Sequence, residues 1–486
     1  MKRREFIQVS AAGAVVTALG GHPCRASGRK NVTIIRGTVS SNGKPLDEVL
    51  ISDGCRVVRT DGDGRYSLPL GVDSGHFVFV TCPRGYWSDE FYCSTTKAAE
   101  QDRVNFSLKQ VPQSDRFMFV FAADLSSIGI NPREKFGYEK TKNSIREICD
   151  LSPIPAFLWI QGDIGIRPDG GKRFLDCLNM ATIPTRVGIG NHEIDPRKAN
   201  PKELYERILG PTYYSFDWGP AHFIVLDGNK PEAGGRGMSR GTVEGSELAW
   251  LEADLAAQPK GKPIIVGVHI PIVSTYPARH PNLKETEAPF WQSPNRPKLT
   301  SLFTRHGVRM VLQGHMHENE RITLGGVEYV ASVSLCGSWW RSGNGLERAT
   351  DGVPRGYRIV TVDGNKVSHR YQSSCESRVD RRGEFMELPD SMSPAKDASF
   401  IFNCYDAPQG STAKARLDDG NWHKMSPVIL QDSGVEKPHH WRLVVDTTRL
   451  KAGSHAIEAC VTWPDGTVVR EQHSFQIAVP PQPRKK

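Results

Sequence analysis

A chain of 486 residues holds more apolar material than one hydrophobic core organises, so two to four domains are expected. Hydrophobic residues at 38% and charged residues at 24%, with no long low-complexity tract, exclude a fibrous or disordered protein; no apolar run approaches the roughly 20 residues of a membrane-spanning helix. The formal charge of +8 is dispersed rather than gathered into a basic stripe with interleaved aromatics, so no nucleic-acid polymer is expected as a partner.

The chain opens with Lys2, Arg3 and Arg4, then an apolar stretch from Ala11 to Leu19 and small residues up to Ala26. This is the pattern of an export signal, and Arg3-Arg4-Glu5-Phe6-Ile7 resembles the twin-arginine type. Cleavage near Ala26 is expected, with a periplasmic or extracellular destination. Residues 1–26 carry Lys2, Arg3, Arg4 and Arg25 against Glu5, so their removal lowers the charge from +8 to +5. Ten cysteines form no CxxC pair, which argues against a zinc ribbon or a disulfide-dense scaffold. Isolated bridges remain open, with Cys82–Cys93 and Cys404–Cys460 as candidates.

Three regimes follow. Residues 30–112 show short alternating runs (VTIIRGTV, EVLISD, YSLPL, HFVFVTC, RVNFSL) between Asn-Gly and Asp-Gly turns, a small β-sandwich. Its middle, GTVSSNGKPLDEVLISDGCRVVRTDGDGRYSLPL, resembles carboxypeptidase-regulatory-like sandwiches. Asp61-Gly62-Asp63-Gly64 lacks the further ligands and closing Glu of a calcium loop, and reads as a tight turn. Over 114–348, apolar strands (FMFVFAAD, AFLWIQGD, TRVGIGN, HFIVLDG, PIIVGVH, RMVLQGH, VEYVASV) alternate with amphipathic helices (EKTKNSIREICD, PKELYERIL, SELAWLEADLAAQ, PKLTSLFTRHG), which implies a layered α/β domain. Residues 354–480 return to short strands, beginning with GYRIVTVDGNKVSHRYQ, and fit a second sandwich of immunoglobulin or fibronectin type.

Several middle-regime strands end on polar groups: Asp124, Gly162-Asp163, Gly190-Asn191-His192-Glu193, His269, and Gly314-His315-Met316-His317. A single strand-end Asp is commonly a turn or cap residue, and a single His a hydrogen-bonded structural one. A whole set in this order is another matter, because ligands bind at the carboxyl ends of strands in open α/β sheets.

That order, D, GD, GNHE, VH, GHMH, resembles the calcineurin-like metallophosphoesterases. The flanking sandwiches and GSWWRSG (337–343) resemble an exported bacterial three-domain subgroup. The resemblance implies an αββα catalytic domain and two divalent ions, with Mn, Fe, Zn or Ni suited to carboxylate, amide and imidazole ligands. It implies that Asp163 bridges the two ions, that Asn191, His269 and His315 complete one, and that Asp124 and His317 hold the other. The implied reaction is hydrolysis of a phosphate mono- or diester, small-molecule or glycan-linked, by a metal-bridging hydroxide, with His192 assisting the leaving group.

Two departures from the family stand out. Where most members read Asp-x-His, this chain reads Asp124-Leu125-Ser126, so the Asp124-side ion is expected to bind weakly. The Asp that orients the family's catalytic His is absent from Gly162-Asp163-Ile164-Gly165-Ile166-Arg167, leaving Glu193 or Asp169 as substitutes. Trp339 and Trp340 could stack on a substrate ring or pack against the C-terminal sandwich, and Arg341 could meet phosphate. The competing readings are an envelope-binding protein with a degenerate metal site and a metallohydrolase acting on a non-phosphate ester.

Overall fold

A computed structural model of the chain describes residues 33–125, 137–167, 169–232, 239–337, 348–374, 381–386, 388 and 390–478. The expected leader, Ser126, and Trp339 to Arg341 lie outside the described residues.

The run FMFVFAA forms β1 (Arg116–Ala123), flanked in parallel by β2 (Leu158–Gln161), which is followed by β3 (Thr185–Gly188). Alternate residues of β1 enter different cores: Phe119, Phe121 and Ala123 face one, Val120 and Ala122 the other. A strand covered on both faces must be apolar at every position, which is why its pattern shows no alternation. β4 (Tyr214–Trp218) and β5 (Ala221–Val225) form a hairpin, and β6 (Ile264–Val268) and β7 (Val308–Gln313) run parallel to β5. β8 (Glu320–Leu324) and β9 (Val327–Ala331) complete a second sheet of order β4-β5-β6-β7-β9-β8.

The two sheets face each other across an aromatic core. Phe119 stacks on Phe157 with centroids 4.8 Å apart, Phe157 meets Phe216 edge-on at 5.4 Å, and Phe216 stacks on Phe223 at 5.0 Å. Such pairs contribute about 0.5–1.5 kcal/mol each beyond the area they bury. Gly267 in β6 makes room for Trp159, since a Cβ there would lie 2.2 Å from the indole. Outside the first sheet pack α1 (Gly137–Cys149), α2 (Lys172–Leu178) and α3 (Glu203–Leu209). Against the second pack α4 (Gly245–Ala257) and α5 (Arg296–His306), burying Trp250, Leu251 and Phe303. The layering is the expected αββα.

The hairpin β10 (Gly356–Asp363) and β11 (Lys366–Ser373) corrects the sequence reading. It does not begin the C-terminal sandwich but pairs antiparallel with β1, giving a first sheet of order β3-β2-β1-β10-β11. A hairpin's alternation looks the same whichever sheet it joins. The buried Arg358 on β10 fixes the choice: it donates to Ala331 O at 2.8 Å, Asn319 Oδ1 at 3.0 Å and Asp406 Oδ1 at 2.6 Å.

Both flanking regions are layered β structures, the C-terminal one of a four-stranded and a five-stranded sheet, the N-terminal one of two four-stranded sheets with an added two-stranded pair. The DGDG segment is a turn, in which Asp61 Oδ1 accepts from the N–H groups of Asp63 and Arg65. Arg186 of β3 holds the N-terminal sandwich, with its guanidinium 3.5 Å from the Trp87 ring centre and donating to Ser88 O. Neither candidate disulfide forms, and all four cysteines are free. Cys93 pairs in register with Val78, four residues or about 13 Å of strand from Cys82, beyond the reach of a bridge. Cys404 lies in the core of the C-terminal sandwich, whereas Cys460 does not.

His222 ties β4 and β5 to α4, its two ring nitrogens 2.7 Å from Asp217 Oδ1 and Asp254 Oδ2. Burial disfavours its protonation, but the flanking carboxylates outweigh burial and raise its pKa. The stability this supplies is complete below the unfolded value of about 6.5 and is lost as pH rises through the folded one. Denaturant unfolding across pH should therefore show His222→Gln less stable by ~1–3 kcal/mol below pH ~6.5, with the gap narrowing at higher pH. A gap constant with pH would contradict this origin.

Candidate metal centre

The carboxyl ends of five strands meet at one mouth. Asp124 follows β1, Asp163 follows β2, Asn191 follows β3, His269 follows β6, and His315 and His317 follow β7. The structure brings all six together. The ligand atoms of Asp163, His269 and His315 lie within 4.8 Å of one another, as do those of Asp124, Asp163 and His317, with Asp163 common to both groups.

The local backbone is unusual at these positions. Asp124, Asp163, His315 and His317 all sit in the left-handed region, with φ of 56°, 51°, 71° and 52°. For a non-glycine residue this costs roughly 1–2 kcal/mol, so surrounding contacts must over-determine it. Glycines make the close approach feasible. A Cβ at Gly162 would lie 2.3 Å from His269 Nδ1, and one at Gly190 would lie 2.2 Å from Asp163 N.

Glu193 supplies much of the over-determination. Its buried carboxylate accepts from the N–H groups of Gly190, Asp163, Ile164 and Gly165 at 2.9–3.0 Å, clamping the loops after β2 and β3 together. Burial and the nearby Asp163 carboxylate push its pKa up to about 7, and the backbone donors oppose that rise. Gln313, at the end of β7, pins the loop after His269 by accepting from Ile272 and Val273 N–H and donating to Val273 O.

Hydrogen bonds behind the histidines decide what faces the mouth. His269 Nδ1 lies 3.1 Å from Gln161 O, and His315 Nε2 lies 2.8 Å from Phe290 O. A carbonyl only accepts, so each of these nitrogens carries the proton and the other ring nitrogen presents a lone pair. His269 Nε2 then faces Asn191 Oδ1 and Asp163 Oδ1, each at 3.1 Å, and His315 Nδ1 faces Asn191 Oδ1 at 2.9 Å. Electron-pair donors pointed at one another call for positive charge between them.

Asp124 Oδ1 makes the same demand. It is buried without a hydrogen bond, although His317 Nε2 lies 3.2 Å away and His269 Nε2 3.8 Å. Asp124 Oδ2 is satisfied by His315 N–H at 3.0 Å. The protein by itself answers with a proton: against the opposing effect of burial, Asp163 and Asp124 raise His269 to about 9. His315 is pushed down to about 4, first by burial and then by His269. The donor set of two carboxylates, one amide and three imidazoles fits divalent cations of intermediate hardness.

His192 stands at the rim, its side chain 37% exposed, with Nε2 3.7 Å from Asp163 Oδ2 and its N–H donating to Asp163 Oδ1 at 3.0 Å. Neither proposed substitute orients its ring. Glu193 is the backbone clamp, and Asp169 accepts from Gly171 and Arg173 N–H at the start of α2. Sequence reasoning missed the clamp, the pinning Gln313 and the Phe290 carbonyl. The glutamines of Gln161-Gly162-Asp163 and Gln313-Gly314-His315 were the available signal, polar residues inside otherwise apolar strands. It also missed an aromatic wall in which Tyr276 stacks on Trp291 at 4.6 Å and Trp291 meets His315 at 5.3 Å.

If glycine at 162 exists to let His269 approach Asp163, Gly162→Ala should lose bound divalent metal and ~1–3 kcal/mol of stability. Gly170→Ala is the control, since φ is 68° there but no atom lies within 4 Å of a new Cβ. Metal analysis and thermal melts separate the two variants; equal metal loss in both would contradict the packing argument.

Comparison with known proteins agrees with this geometry. Residues 117–319 match the model of the calcineurin-like phosphoesterase family, 33–111 that of the N terminal of calcineurin-like phosphoesterase, and 328–463 that of its C terminal. Serine/threonine-protein phosphatase CPPED1 of Homo sapiens is 28% identical over 248 residues, covering 48% of this chain and 72% of that protein. Purple acid phosphatase 23 of Arabidopsis thaliana is 28% identical over 169 residues, covering 32% and 33%. The solved purple acid phosphatase PPD1 of Lupinus luteus aligns over 68% of both chains at 15% identity with a TM-score of 0.38. The chain belongs to the calcineurin-like phosphoesterases, hydrolases of phosphoric esters, and carries the N-terminal and C-terminal domains that accompany that catalytic domain.

Proposed function

We propose that this chain is an exported, metal-dependent phosphoesterase that hydrolyses a phosphate mono- or diester of a small molecule or glycan, with two divalent ions shared through Asp163. The observation that carries the reading is the convergence of lone pairs: His269 Nε2 and His315 Nδ1, their far nitrogens engaged by backbone carbonyls, face Asn191 and the carboxylates. Asn191, His269 and His315 would hold one ion, and Asp124 and His317 the other. With Ser126 in place of the family's usual His, that second ion would be held the more weakly. When bound, such ions supply Lewis acidity towards the phosphoryl oxygens and a nucleophilic water of lowered pKa.

The chain's own residues do the rest. Glu193 and the glycines hold Asp163 and Asn191 in place before substrate arrives, so no reorganisation is needed as charge develops. His192, half-exposed at the rim beside Asp163, is placed to give a proton or hydrogen bond to the departing oxygen. Export rests on the leader at residues 1–26, and Arg3→Lys with Arg4→Lys should leave unprocessed precursor in the cytoplasm.

Asp163→Asn should abolish hydrolysis of bis-p-nitrophenyl phosphate with added Mn and remove at least one bound ion; full activity in that variant would overturn the assignment. His192→Ala should slow alkyl phosphates by ~10²–10⁴-fold and nitrophenyl esters far less, and equal losses would exclude the acid role. A panel of phosphomonoesters, phosphodiesters and nucleotides identifies the substrate class. A phosphoserine peptide belongs in it, because the human relative bears the name of a protein phosphatase.

A further inference from the structure

Cations that are scattered in the sequence are gathered by strand register on the C-terminal sandwich. In its five-stranded sheet, strands His423–Lys424, Thr412–Leu417, Gly453–Thr462 and Val468–Ile477 lie side by side. The register sets Lys424 opposite Lys414, Lys414 opposite Cys460, and Cys460 opposite Arg470. Directly opposed residues project to the same face, so Lys424, Lys414 and Arg470 form one row about 15 Å long. Arg416 lies two residues further along on that face, opposite Glu458.

This face is the outer one. Ala413 and Ala415, the neighbours of Lys414, belong to the sandwich core, whereas Lys414, Lys424 and Arg470 are exposed. Half-buried Trp422, from the loop between the first two strands, has its ring centre 5.0 Å from Lys414 Nζ and 4.8 and 5.8 Å from the guanidinium carbons of Arg416 and Arg470. Cys460, in the same row, is only 3% exposed yet stands outside the core.

One part of this arrangement works against the stability of the folded sandwich. Like charges directly opposite each other on neighbouring strands destabilise a sheet, and Lys414 faces Lys424. Among the described residues of the two rows, Glu458 is the counter-charge, bonded to Arg416 at 2.7 Å and 3.6 Å from Arg470. A row of cations around one half-exposed indole offers charge-assisted hydrogen bonds and a flat apolar surface together.

We propose that this face binds an anionic polysaccharide. Single-stranded nucleic acid would call for a succession of aromatic platforms, and Trp422 is the one ring against these rows among the described residues. A membrane surface would call for protruding apolar groups, and the nearby strand offers only Val468 at 50% exposure. Flanking Thr412, Thr462 and Gln472 supply neutral hydroxyl and amide partners suited to sugar hydroxyls.

Affinity electrophoresis of the full chain in gels containing polygalacturonate, dextran sulfate or neutral dextran tests the proposal. Retardation is expected in both anionic gels, relieved by salt, and absent in neutral dextran. Lys414→Ala with Arg470→Ala, and separately Trp422→Ala, should each weaken binding about tenfold or more with phosphoesterase turnover unchanged. Lys424→Glu, which replaces the like-charge opposition across the two strands with an opposite-charge pair, should abolish binding in a chain at least as stable. Binding that is absent, equal in neutral dextran or untouched by these variants would overturn the proposal. So would tighter binding to oligo-dT or to phosphatidylglycerol vesicles.

Discussion

The geometry of the metal centre depends on one buried carboxylate. Glu193 collects four main-chain N–H groups from two separate loops, and hydrogen bonds to a charged acceptor contribute about 1.5–3 kcal/mol each. That is enough to hold Asp163 in a left-handed conformation its side chain disfavours. With the two loops fused, Asp163 and Asn191 cannot drift apart. Gly162 and Gly190 are then obligatory, because any side chain there would occupy space that His269 and Asp163 already fill.

What the clamp assembles is electrostatically unfinished. Carbonyls behind His269 and His315 fix which nitrogen faces inward, and those nitrogens meet oxygens rather than donors. β1 is packed on two faces, and the aromatic core between the sheets holds in place the strand ends that carry the site. Ordering of this kind belongs to a site prepared for a cation.

The C-terminal sandwich is joined to the same region. Arg358 on β10 links Asp406 of the sandwich to Asn319, two residues after His317, and His439 Nε2 lies 3.0 Å from Asn319 O. The loop carrying His315 and His317 is therefore bounded by Phe290 and the aromatic wall on one side and by the sandwich on the other. A face for anionic glycan on that sandwich would sit on a body joined to the catalytic domain through Arg358 and His439.

The sequence by itself determined the middle α/β domain and named the six residues that the fold brings to one mouth. Strands buried on both faces read as unbroken apolar runs. One polar residue at the end of such a run is commonly a turn or cap residue, but a whole set of them in the order that resembles the calcineurin-like phosphoesterases singles out a site. Asp124, Asp163, Asn191, His269, His315 and His317 were legible for that reason. Tertiary structure alone decided matters that depend on which partner a segment meets: that β10 and β11 extend the first sheet, that Cys404 and Cys460 lie apart, and that Glu193 clamps backbone instead of orienting His192. Strand register likewise turned Lys414, Lys424 and Arg470 into neighbours. An alternating pattern states which face of a strand is buried but not which strand lies beside it, and charge clustering across a sheet is a property of neighbours.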